Sequence, residues 1–149
     1  MIWIAHRGNT QGIDVQRENT NSYLLDALEL GFHVECDVIF KNDELWLGHD
    51  YPQELANLSI LLNPRTIVHA KDLESLRRLH QLDAHCFWHE DDRVTHTNRG
   101  YIWCYPGEQL RYERSILLDL HNKPVPQEAA NWNIHGICSD NFKRWDIEF

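Results

Sequence analysis

Residues 33–40, HVECDVIF, constrain this chain more than any other stretch. The run is apolar and β-branched enough for a buried strand, yet it carries two carboxylates. Strand side chains alternate faces, so Glu35 and Asp37 point one way while Cys36 and Val38 point the other. Their Cα atoms then lie roughly 6.5–7 Å apart. Two acids held that close in a half-buried place repel each other unless a cation or a shared proton sits between them. Aimed at one point at that separation, the two can share a divalent cation. After a turn at Lys41–Glu44, the run Leu45-Trp46-Leu47 resumes an extended pattern and stops at Gly48-His49-Asp50.

The other apolar runs are short and end in polar groups. Ile2–Ala5 delivers His6 and Arg7, and Thr66–Ala70 delivers His69 and Lys71. His85–His89, Tyr101–Tyr105, Ser115–Leu120 and Ile134–Asp140 read as further strands. Helical spacing is clear at Tyr23, Leu24, Ala27 and Leu28, with Asn19 or Thr20 as cap and Gly31 as stop. It is clear again at Leu73, Leu76, Leu79 and Leu82 after an Asp72 cap, and a short helix is expected near Gln127–Asn131. About eight strands with convincing helices after two or three of them predict an α/β fold. The expected architecture is a contracted (β/α)8 TIM-type barrel with several covering helices missing, because a standard one takes about 250 residues. The 149 residues are expected to form a single domain, 1–149.

Composition narrows the function classes. A net charge of -9 argues against a nucleic-acid partner, and no run is long enough for a membrane span. Cys36, Cys86, Cys104 and Cys138 stand singly in apolar runs, which predicts buried free thiols and a cytoplasmic location. In a barrel of this class the strand C-terminal ends form one rim. His6, Arg7, Glu35, Asp37, His49, His69, Lys71, His89, Asp119, His121 and Asp140 would converge there. His33, His80, His85, His96 and His135 read as surface or satisfied histidines, and His89-Glu90 is not a zinc-protease motif, since residue 93 is arginine.

The motifs His6-Arg7-Gly8, Glu18-Asn19-Thr20, Glu35-Cys36-Asp37-Val38 and Gly48-His49-Asp50 resemble, in order and spacing, those of the glycerophosphodiester phosphodiesterases. That family belongs to the phosphatidylinositol phospholipase C-like phosphodiesterase barrels, and Ile137–Asp140 resembles its closing strand. The resemblance covers the first half of the chain in order. It implies His6 and His49 as the catalytic acid–base pair, Arg7 and Lys71 on the substrate phosphate, and Glu35, Asp37, Glu18 and His69 around a divalent metal. His69 stands where the family carries a carboxylate, a change from Mg²⁺ or Ca²⁺ toward Mn²⁺ or Zn²⁺. The expected partner is a small glycerophosphodiester-like molecule cleaved by hydrolysis. A lyase forming a cyclic phosphate, and a non-catalytic barrel that binds a phosphorylated ligand, are the alternatives.

The second half departs from the family pattern. Trp88, His89, Trp103, Asp119 and Asp140 are expected around the substrate pocket. Trp88, Trp103 and Tyr105 serve either as platforms for the leaving group or as core filling, and Asp119 with His121 as rim residues or a structural pair. Few covering helices would leave apolar strand faces for a second copy of the chain, so a homo-oligomer is expected.

Overall fold

The computed structural model describes residues 1–121 and 123–146. Its strands are β1 (Ile2–His6), β2 (His33–Lys41), β3 (Glu44–Leu47), β4 (Glu54–Leu55), β5 (Thr66–Ala70), β6 (Cys86–Phe87), β7 (Val94–His96), β8 (Ile102–Cys104), β9 (Ser115–Asp119) and β10 (Gly136–Ser139). The α-helices are α1 (Asn21–Glu29), α2 (Leu58–Leu61) and α3 (Leu73–Gln81). No helix among the described residues is long and apolar enough to cross a membrane.

The helix starts follow local chemistry. Thr20 accepts from the Tyr23 amide to cap α1, and Asp72 with Ser75 forms a reciprocal capping box on α3. Leu24, Ala27 and Leu28 of α1 and Leu79 of α3 are buried against the sheet.

Parallel pairing links the strands in the order β6-β5-β2-β1-β10-β9-β8. The long strand β2 pairs with β1 and β5 through its first half, then turns back antiparallel onto β3 from Val38 to Lys41. The β3–β4 and β7–β8 pairs are also antiparallel. The sheet is therefore mixed and curled into a half-barrel, which corrects the expected contracted (β/α)8 barrel. The physical reason lies in the connections. Beyond β6 the chain doubles straight back through β7, and the link from β8 to β9 holds no helix among the described residues. Among the described residues the link from β9 to β10 carries only the short 3-10 helix Gln127–Asn131, so this side lacks the α-helical layer that defines the (β/α)8 architecture.

The edges β6 and β8 meet without a shared ladder. Asn98 stands in for the missing partner, with its Oδ1 accepting from the Cys86 amide at 2.9 Å and its Nδ2 donating to the Ala84 carbonyl at 2.7 Å. Inside the curl, the Phe87 and Trp103 rings stack at 4.6 Å.

Strand alternation then sorts the core into layers. Ile4, Ile67, Phe87, Trp103, Ile116 and Cys138 fill the concave side. Val34, Cys36, Val38, Val68 and Cys86 pack outward beneath α1 and α3. Cys104, Leu117 and Ile137 pack beneath Trp132 and Trp145, where a barrel would have helices. All four cysteines are buried free thiols.

Candidate functional site

One step further along the strands, the concave side changes from apolar to polar. The register that pairs His6 with Glu35 and Asp37 with His69 brings three strands' functional groups to one level. They line a cleft of about 290 Å³ at the C-terminal strand ends.

Asp37, 1% exposed, is surrounded by donors and cations. Asn19 Nδ2 donates to its Oδ2 at 3.0 Å, and Arg7 Nε lies 3.0 Å from the same oxygen. His69 Nδ1 is 3.1 Å and Lys71 Nζ 3.8 Å from Oδ1. Burial opposes ionisation here, but His69, Arg7 and Asn19 outweigh it and hold the carboxyl well below the usual carboxylate range. Glu35 differs. It is 2% exposed and receives the Arg7 amide at 3.2 Å. Burial and the neighbouring Asp37 charge push its pKa up. The two carboxyls are thus driven apart, one fixed as an anion and one inclined to keep a proton.

Glu35, Asp37 and His69 each offer a ligand atom within 4.8 Å of the others. Two observations fit this set to a divalent cation: His69 Nε2 is buried with no partner, and burial beside Asp37 pushes Glu35 toward its neutral form, a conflict that a bound cation would relieve. Two carboxylates with one imidazole suit Mn²⁺ or Zn²⁺ better than an all-oxygen site would.

His6 projects from the end of β1 into the cleft, with Nδ1 2.8 Å from Asp140 Oδ1 and Nε2 3.9 Å from Glu35 Oε2. Burial alone would lower its pKa. The hydrogen bond to Asp140 and the charge of Glu35 outweigh that and raise it above an ordinary histidine. Arg7 follows in the left-handed region (φ 54°), and that turn aims its amide at Glu35 while its guanidinium reaches Asp37.

Glu18, expected among the metal ligands, lies outside the Glu35–Asp37–His69 cluster. Its carboxylate takes Asn9 Nδ2 at 2.7 Å and sits 3.5 Å from Arg7 Nη1, so it holds the arginine in place. Asn9 also donates to Asp140 at 2.8 Å, joining both supports of the His6-Arg7 turn. Asn9 and Asn19, both buried, went unassigned as site residues in the sequence. The signal that points to them is indirect: buried carboxylates require nearby donors, and asparagine tolerates the positive φ that Asn19 adopts (52°).

His49 comes from the end of β3. Gly48 has φ +147°, and a Cβ there would lie 2.0 Å from the Tyr51 carbonyl oxygen, so only glycine lets the chain turn His49 into the cleft. Its Nδ1 is 2.8 Å from Asp50 Oδ1, and its side chain is 38% exposed at the mouth.

The opposite wall comes from β6, β8 and β9. The parallel rings of Phe87, His69 and His89 cluster, with His69 4.7 Å from each of the others and Phe87 5.7 Å from His89, and Tyr105 meets His89 edge-on at 4.5 Å. Burial, reinforced by His69, pushes the His89 pKa down to about 4. Trp103 is 2% exposed and floors the cleft as part of the concave core, whereas half-buried Trp88 lines its side. Asp119 is outside the cleft, paired with Arg144 at 3.2 Å and accepting from Trp145 Nε1 at 3.0 Å. Asp140 stands behind His6 rather than at the cleft surface.

The chain thus brings His6, His49, Arg7, Lys71, Glu35, Asp37, His69, Trp88, His89 and Trp103 to one cleft and keeps Glu18, Asp119 and Asp140 around it. No protein-family model, curated protein or solved structure matches the chain.

Proposed function

We propose that the chain is a metal-dependent phosphodiester hydrolase acting on a small, glycerophosphodiester-like substrate. The observation that carries this reading is the convergence of His6, His49, Arg7 and Lys71 on the same cleft as the Glu35–Asp37–His69 cluster. The motif resemblance at residues 6–8, 18–20, 35–38 and 48–50 supports it.

A divalent cation held by Glu35, Asp37 and His69 would neutralise phosphoryl oxygens and act as a Lewis acid there. Arg7 and Lys71 supply the remaining positive charge for a monoanionic phosphodiester. His6, whose proton is retained by Asp140, suits the acid that protonates the departing alkoxide. His49, open to solvent at the mouth, suits the base that takes a proton from water as its oxygen attacks phosphorus and the P–O ester bond breaks.

Hydrolysis of bis(p-nitrophenyl) phosphate with Mn²⁺, Mg²⁺ or Ca²⁺ tests this reading. Turnover lowered about 10²–10⁴-fold by His6→Ala and by His49→Ala is the expected result. Absence of turnover with every metal overturns it. Phosphorus NMR of the product separates hydrolysis from cyclisation. One observation favours a second reading, a ligand-binding half-barrel: Asp37 is already compensated by Asn19, Arg7, His69 and Lys71. That reading requires saturable binding of a phosphodiester with no product.

A further inference from the structure

Where β6 and β8 fail to share a ladder, one tight turn closes the gap at the strands' N-terminal end, away from the cleft. Residues 97–100 fold onto 83–86. Thr97 N donates to the Tyr101 carbonyl and Gly100 N to the Thr97 carbonyl, each at 2.9 Å. Besides its two side-chain bonds, Asn98 donates its backbone amide to the Cys86 carbonyl at 2.9 Å, and Arg99 Nη2 donates to the Asp83 carbonyl at 2.7 Å.

The buried Thr97 hydroxyl sits at the centre of this turn. Its Oγ1 accepts from the Arg99 and Tyr101 amides, each at 3.3 Å. A hydroxyl oxygen has two lone pairs and one hydrogen. With both lone pairs in use, the hydrogen is left for His85 Nε2, 2.8 Å away. His85 is therefore the acceptor, a role it keeps only while Nε2 carries no proton. Nothing beside His85 favours that proton. Arg99, His135 and His33 act on it, and each is a cation or becomes one. Arg65 stands by His33, and the amino terminus and Arg114 stand by His135. Arg114 also lies over the Tyr101 ring, whose centre is 5.7 Å from His85 and 4.1 Å from His135. The acid of this turn, Asp83, is taken by Arg99 at 2.9 Å.

We propose that the 97–100 turn is a proton-released latch: a proton from solvent on His85 Nε2 breaks the bond from Thr97, and the turn lets go of residues 83–86. The seam then opens from this end toward the Phe87–Trp103 stack beneath the cleft. Acid loosens the floor of the cleft in this way without titrating any group that lines it. The device stands whether or not the cleft is catalytic.

The test is amide hydrogen exchange of the full chain by NMR, read as protection factors so that the intrinsic pH dependence of exchange is removed. From about pH 7 to about pH 4.5, protection of the Cys86, Asn98 and Tyr101 amides should fall about 10- to 100-fold while that of β1 and β2 holds. Glutamine keeps an acceptor at every pH, so His85→Gln should abolish the fall. An undiminished fall in His85→Gln overturns the proposal. So does an equal fall in β1 and β2, which would make the event global unfolding. A measurement on the native chain needs no variant: long-range nitrogen–proton NMR near neutral pH should show His85 protonated on Nδ1 alone. A proton on Nε2 there overturns the latch.

Discussion

His6 Nδ1 and Asp140 Oδ1 lie 2.8 Å apart although 134 positions separate them in sequence. The contact exists because β1 and β10 are parallel neighbours in register, which puts Asp140, just past β10, behind His6 at the end of β1. It fixes the imidazole's orientation and favours its protonated form, since Asp140 and Glu35 together overcome the effect of burial.

Asp140→Asn is expected to move the His6 titration downward in proton NMR and to lower turnover about 10- to 100-fold, with the basic limb of the pH–rate profile moving to lower pH. The raised value also has a stability sign. The pair's contribution is whole below the ordinary histidine pKa of about 6.5 and is lost as pH rises through the folded value. Urea unfolding across that range should show the loss in the native protein and not in Asp140→Asn.

Glu35→Gln separates stability from metal binding. In the native chain, two buried carboxyls repel each other and Glu35 is pushed toward its neutral form. The amide keeps an acceptor for the Arg7 amide hydrogen and removes that repulsion. Without metal the variant should therefore melt at or above the native Tm. Adding Mn²⁺ at one hundred times its Kd should stabilise the native protein by about 2.7 kcal/mol and leave Glu35→Gln unmoved. An equal Tm rise in both would remove Glu35 from the ligand set.

Gly48 and Gly31 make a controlled pair. Both have positive φ, but a Cβ at Gly48 meets the Tyr51 carbonyl at 2.0 Å whereas one at Gly31 meets nothing within 4 Å. Gly31→Ala should cost about 1–2 kcal/mol from backbone conformation alone. Gly48→Ala should cost about 3 kcal/mol and also displace His49, so turnover falls further than the lost folded fraction explains. Chemical denaturation and activity at saturating Mn²⁺ report the two effects.

Acid destabilisation should originate partly at the far end of the half-barrel. His85 Nε2 lies 2.8 Å from Thr97 Oγ1, and burial, then Arg99, pushes its pKa down to about 4. Between about pH 6.5 and 4 the unfolded chain binds a proton that the folded chain does not. This contribution is therefore whole above pH 6.5 and declines as pH falls to about 4, below which both states are protonated. His85→Gln should flatten the fall in urea midpoint over that interval. An unchanged slope would exclude His85 as a source.

Much of this was legible along the chain because alternation and capping are local. The two-residue period of HVECDVIF put Glu35 and Asp37 on one face, and it did put them on the concave one. For the same reason Asp72 was legible as the cap of α3, and the cap of α1 was narrowed to Asn19 or Thr20, of which the structure uses Thr20. The short runs ending in His6, His49 and His69 announced where polar groups would gather.

Closure was decided only by the tertiary structure. Whether β6 and β8 share a ladder depends on how far the sheet curls, and here the Asn98 side chain and the Phe87–Trp103 stack hold them together instead. Glu18's place behind Arg7 and Asp119's pairing with Arg144 depend on contacts between segments distant in sequence. So does the opposite fate of Glu35 and Asp37. Their spacing is a property of one strand, but their protonation is set by Arg7, Asn19 and His69, which reach them from elsewhere in the fold.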